Sequence, residues 1–122
     1  MRGAVLGLAL LAGTATAGED ASLPSAIEAG WDGKPVCELL HLAPHSRTLR
    51  CTFPPGGGHV RHFHPAHFGY ALSGGTMELT DAGGVRIAKI ATGAHYESDG
   101  TAWHSVRNVG DTTVTYLIVE EL

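Results

Sequence analysis

The chain has 122 residues, 43% hydrophobic and 16% charged, with a formal net charge of −4. That length makes one domain with a single modest core. Eight basic residues against twelve acidic ones form no basic stripe, so nucleic acid is not an expected partner.

Residues 1–17 read as a signal peptide. Arg2 supplies a short basic start, and Ala4 to Ala12 is an apolar stretch too short to cross a bilayer. Ala15-Thr16-Ala17 fits the small-x-small rule for signal-peptidase cleavage. The other reading is a buried N-terminal helix, against which the stretch shows no polar face. The expected destination is periplasmic or secreted. Loss of Arg2 with the leader leaves seven basic and twelve acidic residues, a net charge of −5.

Residues 18–33 form a polar, Ala-rich arm in which Ser25 to Ala29 fits one helical turn. The arm is expected to pack on the main domain or on a partner subunit. The rest, 34–122, divides into nine candidate strands: Val36 to Leu42, Arg47 to Phe53, His59 to His64, Phe68 to Ser73, Thr76 to Thr80, Val85 to Ile90, Ala94 to Ser98, Ala102 to Asn108 and Thr113 to Glu120. Pro54-Pro55-Gly56-Gly57-Gly58 breaks any ladder, while Gly74-Gly75, Asp81-Ala82-Gly83-Gly84 and Val109-Gly110-Asp111 are turn signals. Short strands at a spacing of roughly ten residues predict an all-β sandwich or barrel. A hairpin centred on Pro44 would set Cys37 opposite Cys51 and Leu39 opposite Leu49. In an oxidising compartment the two cysteines are either a cross-strand disulfide or a pair of small buried thiols.

The chemistry lies in the histidines. Three of the eight fall within Arg61-His62-Phe63-His64-Pro65-Ala66-His67, and His104 follows within Trp103-His104-Ser105-Val106-Arg107-Asn108. Strand alternation puts His62 and His64 on one face. Pro65 cannot donate to a ladder, so a bend there would swing His67 back toward the same point. Burying several imidazoles without a common partner is costly, and a metal ion satisfies all of them at once.

These residues resemble the motifs of the cupin superfamily. Its first motif, Gly, five residues, His-x-His, three or four, Glu, six, Gly, is matched by Gly56 or Gly57, His62-Phe63-His64, and Gly74, with His67 near the expected glutamate. Its second, Gly, five, Pro-x-Gly, two, His, three, Asn, is matched by Gly93, His104 and Asn108. Asp99 and Thr101 stand where proline and glycine usually occur. The resemblance implies a single small jelly-roll β-barrel and a metal site of His62, His64, His67 and His104, or of three histidines if His67 does not ligate. Exchanging Glu for His removes a negative charge and a proton acceptor from the centre.

An all-imidazole set suits one divalent transition metal (zinc, iron, copper or nickel) better than magnesium or calcium; similar cupin sites also hold manganese. Two functions follow. One is a metalloenzyme of dioxygenase, isomerase or decarboxylase type acting on a small oxygenated organic molecule. The other is a non-catalytic binder of metal or a small ligand in the cell envelope. Tyr70 and Glu78 are weak catalytic candidates, Tyr70 with core packing as its other reading and Glu78 a surface position. Met77 reads as core and Asn108 as structural. Trp103, Arg61 and Arg107 alternate to the outer face; His41 and His45 flank a solvated turn. His59 lies just past the Gly-rich loop, with lining of the barrel mouth only its minor reading, and His95 reads as a strand residue near the rim. The resemblance also implies a homodimer, with Thr113 to Glu120 as the candidate edge strand.

Overall fold

A computed structural model describes residues 22–122. The expected leader and the first residues of the arm lie outside the described residues. Eleven strands are formed among them: β1 (Gly30–Trp31), β2 (Lys34–Pro35), β3 (Cys37–Ala43), β4 (Ser46–Phe53), β5 (Gly58–His64), β6 (His67–Ser73), β7 (Gly75–Asp81), β8 (Gly84–Ile90), β9 (His95–Ser98), β10 (Thr101–Asn108) and β11 (Val114–Glu121). The nine expected strands are all present, with no end shifted by more than one residue. The short β1–β2 hairpin was not anticipated.

One sheet runs β5-β10-β7-β8 and the other β3-β4-β11-β6-β9, with every ladder antiparallel. From β4 to β7 each successive strand changes sheet, which is the crossing pattern of a jelly roll. Alternation explains the core. On β4, Leu49, Cys51 and Phe53 point in; on β11, Val114 and Ile118 meet them, and Met77 closes from β7. Burying each such large side chain contributes about 1.5–3 kcal/mol.

The first hairpin keeps the expected register at its base, with Cys37 opposite Cys51 and Leu39 opposite Leu49. Beyond that the register slips: His41 pairs with Thr48, so Leu40 is an extra residue on β3. The bulge turns a three-residue loop into the two-residue loop Pro44-His45. Cys37 and Cys51 are joined by a disulfide. Closing a loop of about fifteen residues is worth roughly 3 kcal/mol in the chain-entropy picture.

Thr113 to Glu120 is not an edge. β11 lies between β4 and β6, paired along both sides. Its run of apolar residues reflects burial within a sandwich, which a sequence cannot distinguish from an edge. The free edges are β3 and β9 in one sheet and β8 in the other. The outer side of β5 is covered by the arm, where Ser25 bridges to Phe63 and the Phe63 amide donates to the Pro24 carbonyl. The arm thus packs on the barrel. Ser25 to Ala29 makes the expected single turn, closed by the Ala29 amide donating to the Ser25 carbonyl and by the Glu28 carboxylate accepting from the Ser25 amide and hydroxyl.

Candidate metal centre

His62 and His64 share the inner face of β5, and the register sets His104 of β10 directly opposite His62. Alternation sends their neighbours outward, where the Arg61 guanidinium lies 3.9 Å over the Trp103 ring. Inside, three Nε2 atoms form a nearly equilateral triangle: 3.1 Å from His62 to His64, 3.2 Å from His64 to His104 and 3.1 Å from His104 to His62.

The protons show what this triangle is for. The His62 Nδ1–H donates to the Val60 carbonyl at 2.6 Å, and the His64 Nδ1–H donates to the Glu120 carboxylate at 2.7 Å. In neutral rings both Nε2 atoms are then bare acceptors. Two bare acceptors cannot hydrogen-bond each other, and His104 has one proton at most for the pair. Charging His62 or His104 is no remedy. Burial holds the His62 imidazole at about 2, helped by His59, and burial holds His104 at about 3, helped by His64. Three Nε2 atoms with at most one proton among them therefore converge where a cation belongs. Nitrogens bound about 2.0–2.1 Å from an ion stand about 2.9 Å apart at octahedral angles and about 3.4 Å apart at tetrahedral ones. The observed edges fall between, so the donor set fits a transition-metal ion of the first row in type and size.

Glu120 is the residue that sequence reading missed. It is fully buried and also accepts from the Arg47 Nε at 2.7 Å. Burial pushes its carboxyl up, but the bonds and charges of His64 and Arg47 outweigh that and leave it below the ordinary range. It returns to the centre, one layer out, the negative charge that the motif's missing glutamate would have supplied directly. The signal was available. Val114, Tyr116, Ile118 and Glu120 are one face of one strand, and a carboxylate at the end of an apolar row asks for a partner.

His67 lines the same cavity but is not brought into the triangle. It begins β6, in the opposite sheet, and both ring nitrogens are engaged. Nδ1–H donates to the Pro65 carbonyl at 2.8 Å, and Nε2 accepts from the Tyr96 hydroxyl at 3.1 Å. Its ring packs beside His64 with centroids 4.6 Å apart. Tyr96 reaches it by crossing Gly69, its partner in the β6–β9 ladder, where any Cβ would collide with the phenol ring. Burial raises the Tyr96 hydroxyl to about 12, so it remains a donor.

The two weak catalytic candidates lie outside. Tyr70 points to the outer face of β6, 37% exposed, with its ring stacked on His95. Alternation decides this, since His67, Gly69 and Ala71 take the inner positions. Glu78 likewise faces away, because Met77 and Leu79 on either side of it line the cavity. Met77 is core, as expected, and Asn108 is structural: its amide donates to the Phe53 and Thr112 carbonyls at 2.8 Å and accepts from the Gly110 amide at 2.9 Å. The turn before β10 uses Gly100, with φ +132°, one position ahead of where the motif has its glycine. His41, His45 and His95 are exposed.

His59 lines the cavity from its floor. It is 2% exposed and its ring lies 3.8 Å from that of His62. Its Nε2–H is shared between the Ala26 carbonyl at 3.0 Å and the Ala29 carbonyl at 3.3 Å, which pins the arm to the barrel floor. Burial lowers it from 6.5 to about 4, the two carbonyls offsetting only part of that. A histidine held neutral stabilises the fold fully above its unfolded pKa and less as pH falls toward the folded one. Chelator-treated protein is therefore expected to lose on the order of 3 kcal/mol between pH 6.5 and 4 from this group, read as a falling urea midpoint. A flat profile over that window would contradict a buried neutral His59.

Together these side chains bound a cavity of about 350 Å³, walled mainly by apolar residues. A family model described as Cupin domain matches residues 49–120. The fold is similar to a cupin domain from Bordetella pertussis at 20% identity and TM-score 0.68, covering 76% of this chain and 94% of that one. It is also similar to a predicted oxalate decarboxylase from Thermotoga maritima, at 24% identity and TM-score 0.56, covering 84% and 96%. A third is KdgF from a Halomonas species, at 16% identity and TM-score 0.52, covering 75% and 86%. Comparison with curated protein sequences gives no match.

Proposed function

The chain belongs to the cupin domain family, and on that premise we propose that it is a metal-dependent enzyme for a small oxygenated organic molecule. One divalent transition-metal ion is held by His62, His64 and His104. The convergence of three Nε2 atoms within 3.1–3.2 Å of one another, two of them bare acceptors, carries this reading. Bound there, the ion would act as a Lewis acid on an oxygen of the ligand. The Val60 carbonyl and Glu120 hold His62 and His64 in the tautomer that presents Nε2 inward. The Tyr96 hydroxyl spends its proton on His67, so its oxygen lone pairs are free to accept from a ligand donor. The apolar walls keep bulk water from the centre, which strengthens each polar contact there.

Metal identity divides between zinc and copper, which lead the affinity order outside the cytoplasm, and iron, nickel or manganese. Metal analysis of protein purified from its native compartment tests the reading. One ion per chain is expected, and metal-replete protein that carries none would overturn it. The second reading, a non-catalytic carrier of metal or small ligand, draws on one observation: the nearest acid-base pair, His67 with Tyr96, is satisfied internally.

We place the protein in the periplasm or medium, on its N-terminal sequence, and propose a homodimer. With β11 enclosed, the candidate seam is β3, an open edge on which Leu39, Leu40 and Leu42 are 49%, 44% and 62% exposed. Sedimentation at micromolar concentration is expected to give twice the chain mass; monomer alone would refute it.

A further inference from the structure

The cavity contains one fixed positive charge that the metal reading does not use. On β8 the inward positions are Arg86, Ala88 and Ile90, all lining the cavity, while Val85 and Ile87 face solvent. The strand thus carries an apolar wall that ends in a guanidinium toward the open edge of the sheet. Arg86 pairs in register with Leu79, another wall residue. Among the described residues no other lysine or arginine lines the cavity, and no aspartate or glutamate does. Glu120 sits behind His64, already matched by Arg47.

Arg86 is only loosely committed elsewhere. Its Nη1 donates to Asp81 at 3.1 Å, with the arginine 61% and the aspartate 34% exposed. An exposed pair of this kind is weak, so the guanidinium can be shared or recruited at little cost. A guanidinium offers a planar fork that matches a carboxylate.

We propose that Arg86 selects the ligand of this cavity, a small carboxylate with an apolar body. The carboxylate meets Arg86 at the mouth, and the apolar body lies along Leu79, Ala88 and Ile90 toward the histidines. This rests on the reading of the cavity as a ligand site. At about 350 Å³ the space admits a molecule of one ring or a short chain.

Benzoate and benzamide, equal in shape and different in charge, are suitable probes. Their affinities are measured by ligand-observed NMR on chelator-treated and on zinc-loaded protein, for the wild type and Arg86→Gln. The wild type is expected to prefer benzoate in both states, and Arg86→Gln to reduce that preference about tenfold in both. Arg86→Lys, which keeps the charge, retains most of it. Equal binding of the two probes by the wild type, or an undiminished preference in Arg86→Gln, overturns the proposal. Failure of the metal reading looks different: zinc does not load, while the Arg86-dependent preference persists.

Discussion

His104→Ala is expected to abolish tight metal binding while leaving the barrel folded. The residue is the only member of the triangle contributed by β10, and it carries no hydrogen bond to the backbone among the described contacts. Structural zinc sites bind with about 10–16 kcal/mol over four ligands, so one imidazole is worth roughly 3–4 kcal/mol, a few-hundredfold in affinity. Competition against a chromogenic chelator reads this directly, and circular dichroism with thermal unfolding checks the fold. Turnover, once a substrate is known, should fall with metal content. His67→Gln is the contrasting variant. It removes a ring whose nitrogens face Pro65 and Tyr96, so the affinity should change far less. If His67→Gln lost metal as completely as His104→Ala, the centre would hold four imidazoles instead of three.

The second large effect belongs to Glu120. Glu120→Gln keeps the shape and one acceptor for the His64 Nδ1–H, but removes the buried charge that polarises the ring. Losing such an outer partner typically costs 10–100-fold in metal affinity, and that range is expected here. Stability should fall too. The carboxylate has no solvent exposure and joins Arg47 to His64, so Glu120→Ala leaves the guanidinium and the imidazole without their partner. Breaking a buried pair from one side costs about 3–5 kcal/mol. Urea denaturation and chelator competition separate the two consequences, since Gln should affect affinity more than stability and Ala both. A Glu120→Gln protein with wild-type metal affinity would show that the carboxylate serves only to pair Arg47.

The two readings of function diverge at His67 and Tyr96. In an enzyme, a ligand would compete for the phenol oxygen and draw the pair into the reaction. In a carrier, the pair would remain a closed hydrogen bond that shapes the wall. Tyr96→Phe distinguishes them, because it removes the oxygen while keeping the ring that Gly69 accommodates.

Much of this molecule was legible in one dimension, where the physics is local. Strand alternation put His62 and His64 on one face and sent Arg61 and Trp103 to the other. Turn chemistry located nearly every strand end, and hairpin counting set Cys37 opposite Cys51. Motif spacing linked His104 to the pair, and the register now sets it opposite His62. Only tertiary structure decided the rest, because those features depend on which strands become neighbours. The enclosure of β11 between β4 and β6 turned a supposed edge into the core and brought Glu120 behind His64. The packing of the arm under the barrel buried His59. The crossing of β9 over Gly69 delivered Tyr96 to His67, leaving that ring beside the imidazole triangle. Alternation states which side of a strand a residue occupies; what stands opposite is set by long-range pairing and by the two sheets closing on one another.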